Sequence, residues 1–221
     1  MGLKIETEDT KCGDFHVHTN YTDGENTIRD YCEAAEKNGL KAIAFTEHVR
    51  KNLSYDYRDF LFDIQNVRRE YKGLKVLSGC EAKVLNVFGD LDVHEQILDE
   101  CDVVIGVFHS YAFSGKMKCI MALEAMLANP AVDIWGHPTL FANRNRVRLS
   151  ESELDRILDL CKDENVLIER NLKYHVPNSS FLRMARRKGA GLILGSDAHS
   201  IHDLLTQQEL REQWKWIKKM C

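Results

Sequence analysis

Seven short apolar runs, each followed by an amphipathic stretch, constrain this chain more than any other feature. The runs are Cys12–Thr19, Lys41–His48, Lys75–Val84, Val103–Ser110, Asp133–His137, Val166–Asn171 and Gly191–His199. Their near-continuous apolarity is that of parallel strands covered by helices. Helical periodicity fills about 26–38, 57–72, 117–128, 151–164, 178–188 and 203–219. Asn26 or Thr27, Ser150 and Asn178 stand where N-caps belong, and Gly39 and Gly189 where helices end. The stretch 86–100 reads as a turn or hairpin before a short helix. Two α/β architectures fit, an open doubly wound sheet and a closed barrel. No GxGxxG follows the first strand, which removes the main argument for a dinucleotide-binding sheet.

Length and composition agree with one domain over residues 1–221: 44% of residues are hydrophobic, 29% are charged, and no Gly/Ser linker divides the chain. The formal charge of −4 argues against bulk nucleic acid as a partner. No apolar run reaches the ~20 residues of a membrane span, and the N-terminus lacks the core of a secretory signal. Seven cysteines without CxxC spacing read as small core residues of a reducing cytoplasm, with Cys221 as an exposed thiol.

The polar residues decide the architecture. His16 and His18 alternate in the first run, so both side chains share one strand face. His48 ends the second run, Glu81 lies in the third, His109 ends the fourth and His137 ends the fifth. Asp197 and His199 close the seventh, and Asp23 lies in the loop after the first. Six of seven strands thus carry a metal-competent side chain near the carboxyl end, and a parallel barrel gathers those ends on one face. A lone His there usually serves structure, and Thr-Asp-Gly around Asp23 is an ordinary turn signal. The recurrence of such residues at equivalent strand positions argues for a site. Nine candidates suffice for two or three divalent ions, with Glu81 and Asp197 as natural bridges. Imidazole and carboxylate without thiolate suit Zn, Mn or Fe, and disfavour magnesium alone.

At these residues the chain resembles the PHP (polymerase and histidinol phosphatase) superfamily. The resemblance rests on His16-Val-His18-Thr-Asn-Tyr-Thr-Asp23-Gly, Thr46-Glu-His48, Glu81, His109, His137-Pro and Asp197-Ala-His199, in family order. Glu169-Arg-Asn-Leu, Asn178-Ser-Ser-Phe and the Gly89-Asp-Leu-Asp segment look like the small stand-alone phosphatases of that group. The resemblance implies a distorted (β/α)7 barrel with its metal site at the C-terminal ends of the strands. It also implies a trinuclear site: His16 and His18 on one ion with Glu81 and Asp197, Glu81 bridging to a second on His109 and His137, and Asp23, His48 and His199 on a third. Asp23 replaces the His of some relatives. Glu47 replaces a commoner Asp and is expected to face away from His48 with little consequence.

The activity so implied is metal-dependent hydrolysis of a small phosphate monoester, such as histidinol phosphate or a sugar or nucleotide phosphate. A metal-bridging hydroxide attacks phosphorus in line, and Asp23 or His199 are candidates to protonate the leaving group. His16, Glu81, Asp197, Asp23 and His199 form the catalytic set. For phosphate, Arg170 at the end of the sixth run is the first candidate anchor, then Arg144 and Arg146 with Arg148 in the loop after the fifth run, and Lys116; Lys173 and His175 are weaker. A phosphodiesterase or 3'-5' exonuclease is the alternative. A metal amidohydrolase fits less well because no bridging lysine is evident, and a degenerate, non-catalytic domain conflicts with the complete ligand set.

Overall fold

The computed structural model describes Ile5 and residues 8–109 and 115–220. Cys221 and the last residue expected of the fourth strand, Ser110, lie outside the described residues. Seven strands form one parallel sheet in sequence order: β1 (Gly13–Val17), β2 (Ala42–Val49), β3 (Lys75–Lys83), β4 (Val103–Val107), β5 (Ile134–Trp135), β6 (Leu167–Asn171) and β7 (Leu192–Gly195). Beyond β7 the chain returns to β1. A parallel bridge joins Val17 to Ala198, and His18 N–H donates to the Ala198 carbonyl at 2.9 Å. The sheet is therefore a nearly closed, distorted (β/α)7 barrel.

Helices cover it in the expected order: α1 (Ile28–Lys37), α2 (Tyr57–Glu70), α3 (Glu95–Glu100), α4 (Lys116–Leu127), α5 (Leu140–Arg144), α6 (Glu151–Asp163), α7 (Ser179–Lys188) and α8 (Gln207–Lys219). Local chemistry fixes their ends. Thr27, Ser150 and Thr206 each form a reciprocal capping box with the acidic residue three positions on, and Asn178 accepts from Phe181 N–H. Gly189 ends α7 in the left-handed conformation that glycine adopts without strain. The last helix starts at Gln207, later than its periodicity suggests, because Thr206 caps it. Helix α5 was not expected; it is one short turn after β5. None of the described helices is long and apolar enough to cross a membrane.

Alternation along the strands sorts two apolar layers. Ile43, Phe45, Val76, Cys80, Val104, Trp135, Ile168 and Leu194 face the helices and join the larger core. Phe15, Ala42, Ala44, Leu77, Val103, Ile105, Val107, Ile134 and Ile193 fill the lower barrel interior. Above them the same inward positions turn polar, as Ala44 gives way to His48 and Leu77 to Glu81. In β1 the register slips by one residue between Asp14 and Val17. That bulge lets Phe15 plug the barrel floor while His16 and His18 still enter its upper half.

Candidate metal centre

The upper interior is built around Glu81, the inward residue near the end of β3. Its Oε1 lies 3.0 Å from His137 Nε2, 3.1 Å from His109 Nε2 and 3.4 Å from His16 Nε2, while Oε2 lies 2.6 Å from His48 Nδ1. Burial pushes this carboxyl up, but contacts to four imidazoles outweigh burial and hold it well below the usual carboxylate range. One anion thus gathers ligand candidates from β1, β2, β4 and β5.

The other carboxylates stand to either side. Asp197 Oδ1 is 3.9 Å from His18 Nε2 and 3.6 Å from His199 Nδ1. Asp23 Oδ2, on the exposed edge, is 3.3 Å from His48 Nε2 and 3.4 Å from His199 Nε2. All nine expected ligand residues therefore meet at the carboxyl ends of the strands. Among the described residues three groups place ligand atoms within 4.8 Å of one another: His18, Asp23, His48 and His199; His16, His18 and Asp197; and His48, Glu81 and His109. The grouping differs from the expected partition: His18 and His48, whose rings stand 4.3 Å apart, each belong to two groups, Glu81 groups with His48 and His109 and not with His16, and His137 is in none of the three.

The donor set fits divalent cations on its own chemistry. His18 is fully buried, yet neither ring nitrogen makes a hydrogen bond among the described residues. An unsatisfied imidazole in such a place is costly unless a ligand completes it. Its burial, with His16 beside it, depresses its basicity well below the usual value, leaving a neutral ring with a lone pair.

The expected phosphate anchors separate. Arg170 points outward from β6, because the period-two alternation turns its neighbour Glu169 inward. Its guanidinium donates to the Pro177 carbonyl at 2.9 Å and lies 5.2 Å from the Trp216 ring centroid, away from the cluster. Lys116 pairs with Glu153 at 2.6 Å, on the joint of α4 and α6. Arg146 is exposed and does not line the cluster's cavity. Arg144 does line that cavity of about 140 Å³, with its guanidinium 5.1 Å from the Tyr174 ring centroid.

The cations that reach the ligands are Lys173, one of the weaker candidates, and Arg50. Lys173 Nζ lies 3.2 Å from Asp197 Oδ1 and 3.0 Å from His199 Nδ1. Arg50 donates to the Glu81 carbonyl at 2.9 Å and to His109 Nδ1 at 3.3 Å. Arg50 was missed, although it stands two residues beyond His48 at the same strand end. Also missed as site residues were Glu169 and Asn171, inward residues of the one strand expected to lack a metal ligand. Glu47 faces away from the cluster as expected, but it is not idle: its carboxylate is buried and accepts from Thr19 N–H at 2.8 Å and from the Thr22 hydroxyl.

The PHP domain family model matches residues 14–173, which span the barrel from β1 to the loop after β6. The chain belongs to the PHP-domain family. Among its relatives is the DNA polymerase/3'-5' exonuclease PolX of Bacillus subtilis, 30% identical over 87% of this chain but only 35% of that protein's length. A protein of Clostridium novyi named as a probable phosphatase is 29% identical over 84% of this chain and 78% of its own. The fold also matches the histidinol phosphate phosphatase of Lactococcus lactis, solved with zinc, L-histidinol and phosphate. That match has a TM-score of 0.75 at 21% identity, covering 95% of this chain and 94% of the other.

Proposed function

We propose that this PHP-domain protein is a metal-dependent phosphatase that hydrolyses a small phosphate monoester at a trinuclear site. The observation that carries the reading is the convergence of six imidazoles and three carboxylates on one end of the barrel, with Glu81 at its centre. The phosphatase names among relatives matched over most of both chains support the reaction class.

His16, His18, Glu81 and Asp197 would hold one ion, Glu81, His109 and His137 a second, and Asp23, His48 and His199 a third. His18 and His48 stand between these sets and can serve either neighbour. Such ions, Zn, Mn or Fe by donor type, supply Lewis acidity that yields hydroxide near neutral pH and offsets phosphoryl charge. The chain's own cations complete the anion site. Lys173 rests against Asp197 and His199, and Arg50 against His109, so both positive groups stand beside the ligand set. A phosphoryl group in the cleft is the acceptor within their reach, and Arg144 at the mouth adds a third positive group. Water adds at phosphorus, the ester P–O bond breaks, and the leaving oxygen takes up, at the exposed edge beside Asp23 and His199, the proton that the attacking water gives up.

The polymerase relative favours a second reading, phosphodiester cleavage. Hydrolysis of p-nitrophenyl phosphate and bis-p-nitrophenyl phosphate by Mn- or Zn-loaded protein separates the two. Monoester turnover abolished in His16→Ala supports the phosphatase. A clear diester preference replaces it with the diesterase, and turnover of neither removes both.

A further inference from the structure

The sixth strand contributes no metal-ligand candidate, yet its two inward side chains touch residues from three other strand ends. Glu169 Oε1 lies 2.7 Å from His16 Nδ1, and Glu169 Oε2 accepts the backbone N–H of His137. Two residues on, Asn171 Nδ2 donates to Glu169 Oε1 at 3.3 Å and to Asp197 Oδ2 at 3.2 Å. Glu169 and Asn171 are 1% and 0% exposed, and these bonds, with the Tyr174 N–H that Asn171 Oδ1 accepts at 3.0 Å, offset their burial.

We infer that Glu169, seconded by Asn171, is the positioning residue of the metal centre: it fixes which nitrogen of His16 faces the ions and holds His137 and Asp197 in register with it. The inference rests on the metal reading above. A neutral imidazole carries one N–H, and a carboxylate accepts only from a protonated nitrogen. With Oε1 on Nδ1, a proton is held there, so Nε2, the atom that faces Glu81, is the nitrogen left to offer its lone pair to a cation bound in the cluster. A carboxylate behind a ligating histidine also raises the basicity of the ligating nitrogen.

Two further features show that the strand ends are shaped around this pair. His137 has φ of 28° and Asp197 of 56°, in the left-handed region that costs a non-glycine residue energy. Glu169 holds the first through its N–H, and Asn171 holds the second through its carboxylate. On β7, residue 195 is glycine, and a Cβ there would overlap Glu169 Oε1 and press on His16 Cβ. The barrel wall is left open where the carboxylate meets the imidazole.

The test compares wild type with Glu169→Gln, which keeps the side-chain volume but cannot accept from both N–H groups as a carboxylate does. Zn and Mn affinities are measured by competition with a chromophoric chelator, and the imidazole ¹⁵N–¹H correlations of the Zn-loaded protein report the His16 Nδ1 proton. The expected result is a 10- to 100-fold weaker affinity and loss or displacement of the hydrogen-bonded Nδ1–H signal. A metal-free unfolding midpoint close to wild type separates positioning from a general loss of structure. If E169Q does not fold, Asn171→Ala leaves the carboxylate in place and is expected to weaken affinity by a smaller factor. Wild type that loads, with the folding variant loading equally and an unchanged His16 signal, overturns the assignment alone. Wild type that takes up no divalent ion overturns the metal reading and this assignment with it.

Discussion

Glu47 Oε1 accepts the backbone N–H of Thr19 at 2.8 Å, tying the end of β2 to the loop that carries Asp23. The other oxygen accepts from the Thr22 hydroxyl, one residue before Asp23. Burial pushes this carboxyl up to about 7, while the bonds from Thr22 and Thr19 pull it back down. The loop therefore owes its position to a buried acid whose next residue in the chain, His48, is a ligand candidate.

In Glu47→Ala the Thr19 N–H and the Thr22 hydroxyl lose their acceptor and Asp23 is no longer held against His48 and His199. The expected outcome is selective loss of one ion, with monoester turnover falling roughly 10- to 100-fold, the usual penalty for removing an outer-shell partner. Metal content after gel filtration checks the first half and steady-state kinetics the second. A variant that retains every ion and full turnover would show that the loop holds itself.

The barrel was legible because period-two alternation, helix caps and strand-end polar residues all pointed the same way. His16, His18, Glu81 and Asp197 declared themselves by sitting at equivalent ends of apolar runs. Arg170 was misjudged for the same reason that Glu169 was overlooked. Both follow from the facing of β6, which no ligand residue marked, and a shift of one residue exchanges the two faces of a strand. Glu169 and Asn171, two apart, were the only signal available. Lys173 and Arg50 are long side chains at strand ends, and sequence spacing does not state where their tips come to rest. The β1 bulge, which admits Phe15 and both histidines to the interior, left no trace in the pattern.

Lys173 and Arg170 offer a paired test of the anion site. The Lys173 amine lies among Asp197 and His199, whereas the Arg170 guanidinium is committed to the Pro177 carbonyl and the Trp216 face. A hydrogen bond to a charged group contributes about 1.5–3 kcal/mol, or roughly 10- to 100-fold in binding. Lys173→Ala is expected to raise KM for p-nitrophenyl phosphate by that factor. Arg170→Ala is expected to leave KM near wild type and lower the unfolding midpoint. The reverse pattern would return Arg170 to the cleft.

Metal loading should be visible without substrate. Among the described residues the buried His18 nitrogens make no hydrogen bond, and a bound ion would complete one of them. A ligand at 100 times its Kd stabilises the folded state by about 2.7 kcal/mol. At about 2–4 °C per kcal/mol for a chain of this size, the unfolding midpoint is expected to rise by roughly 5–10 °C with Zn or Mn. Excess chelator should reverse it, and His18→Ala should abolish most of the shift. An unchanged midpoint at saturating metal would contradict the site.

Asp14 supplies a pH signature independent of turnover. Its carboxylate is fully buried and accepts from Ser196 N–H at 2.9 Å and Leu205 N–H at 3.2 Å, fastening β1 to the chain after β7. Burial raises this carboxyl to about 6, against the opposing pull of those N–H groups. An unfolded Asp titrates near 3.9, so between about pH 4 and pH 6 the folded chain keeps a proton that the unfolded chain releases. The stability linked to that proton is fully present below about pH 4 and is lost as pH rises through about 6. A shift of that size corresponds to something on the order of 2–3 kcal/mol. Asp14→Asn removes the ionisation and keeps an acceptor for Ser196. Relative to the variant, wild type is therefore expected to lose stability by about that amount from pH 4 to pH 7. Urea unfolding of both proteins in chelator across this range measures the difference directly. A difference that stays constant, or grows in favour of wild type as pH rises, would mean that Asp14 is ionised throughout and held by its hydrogen bonds.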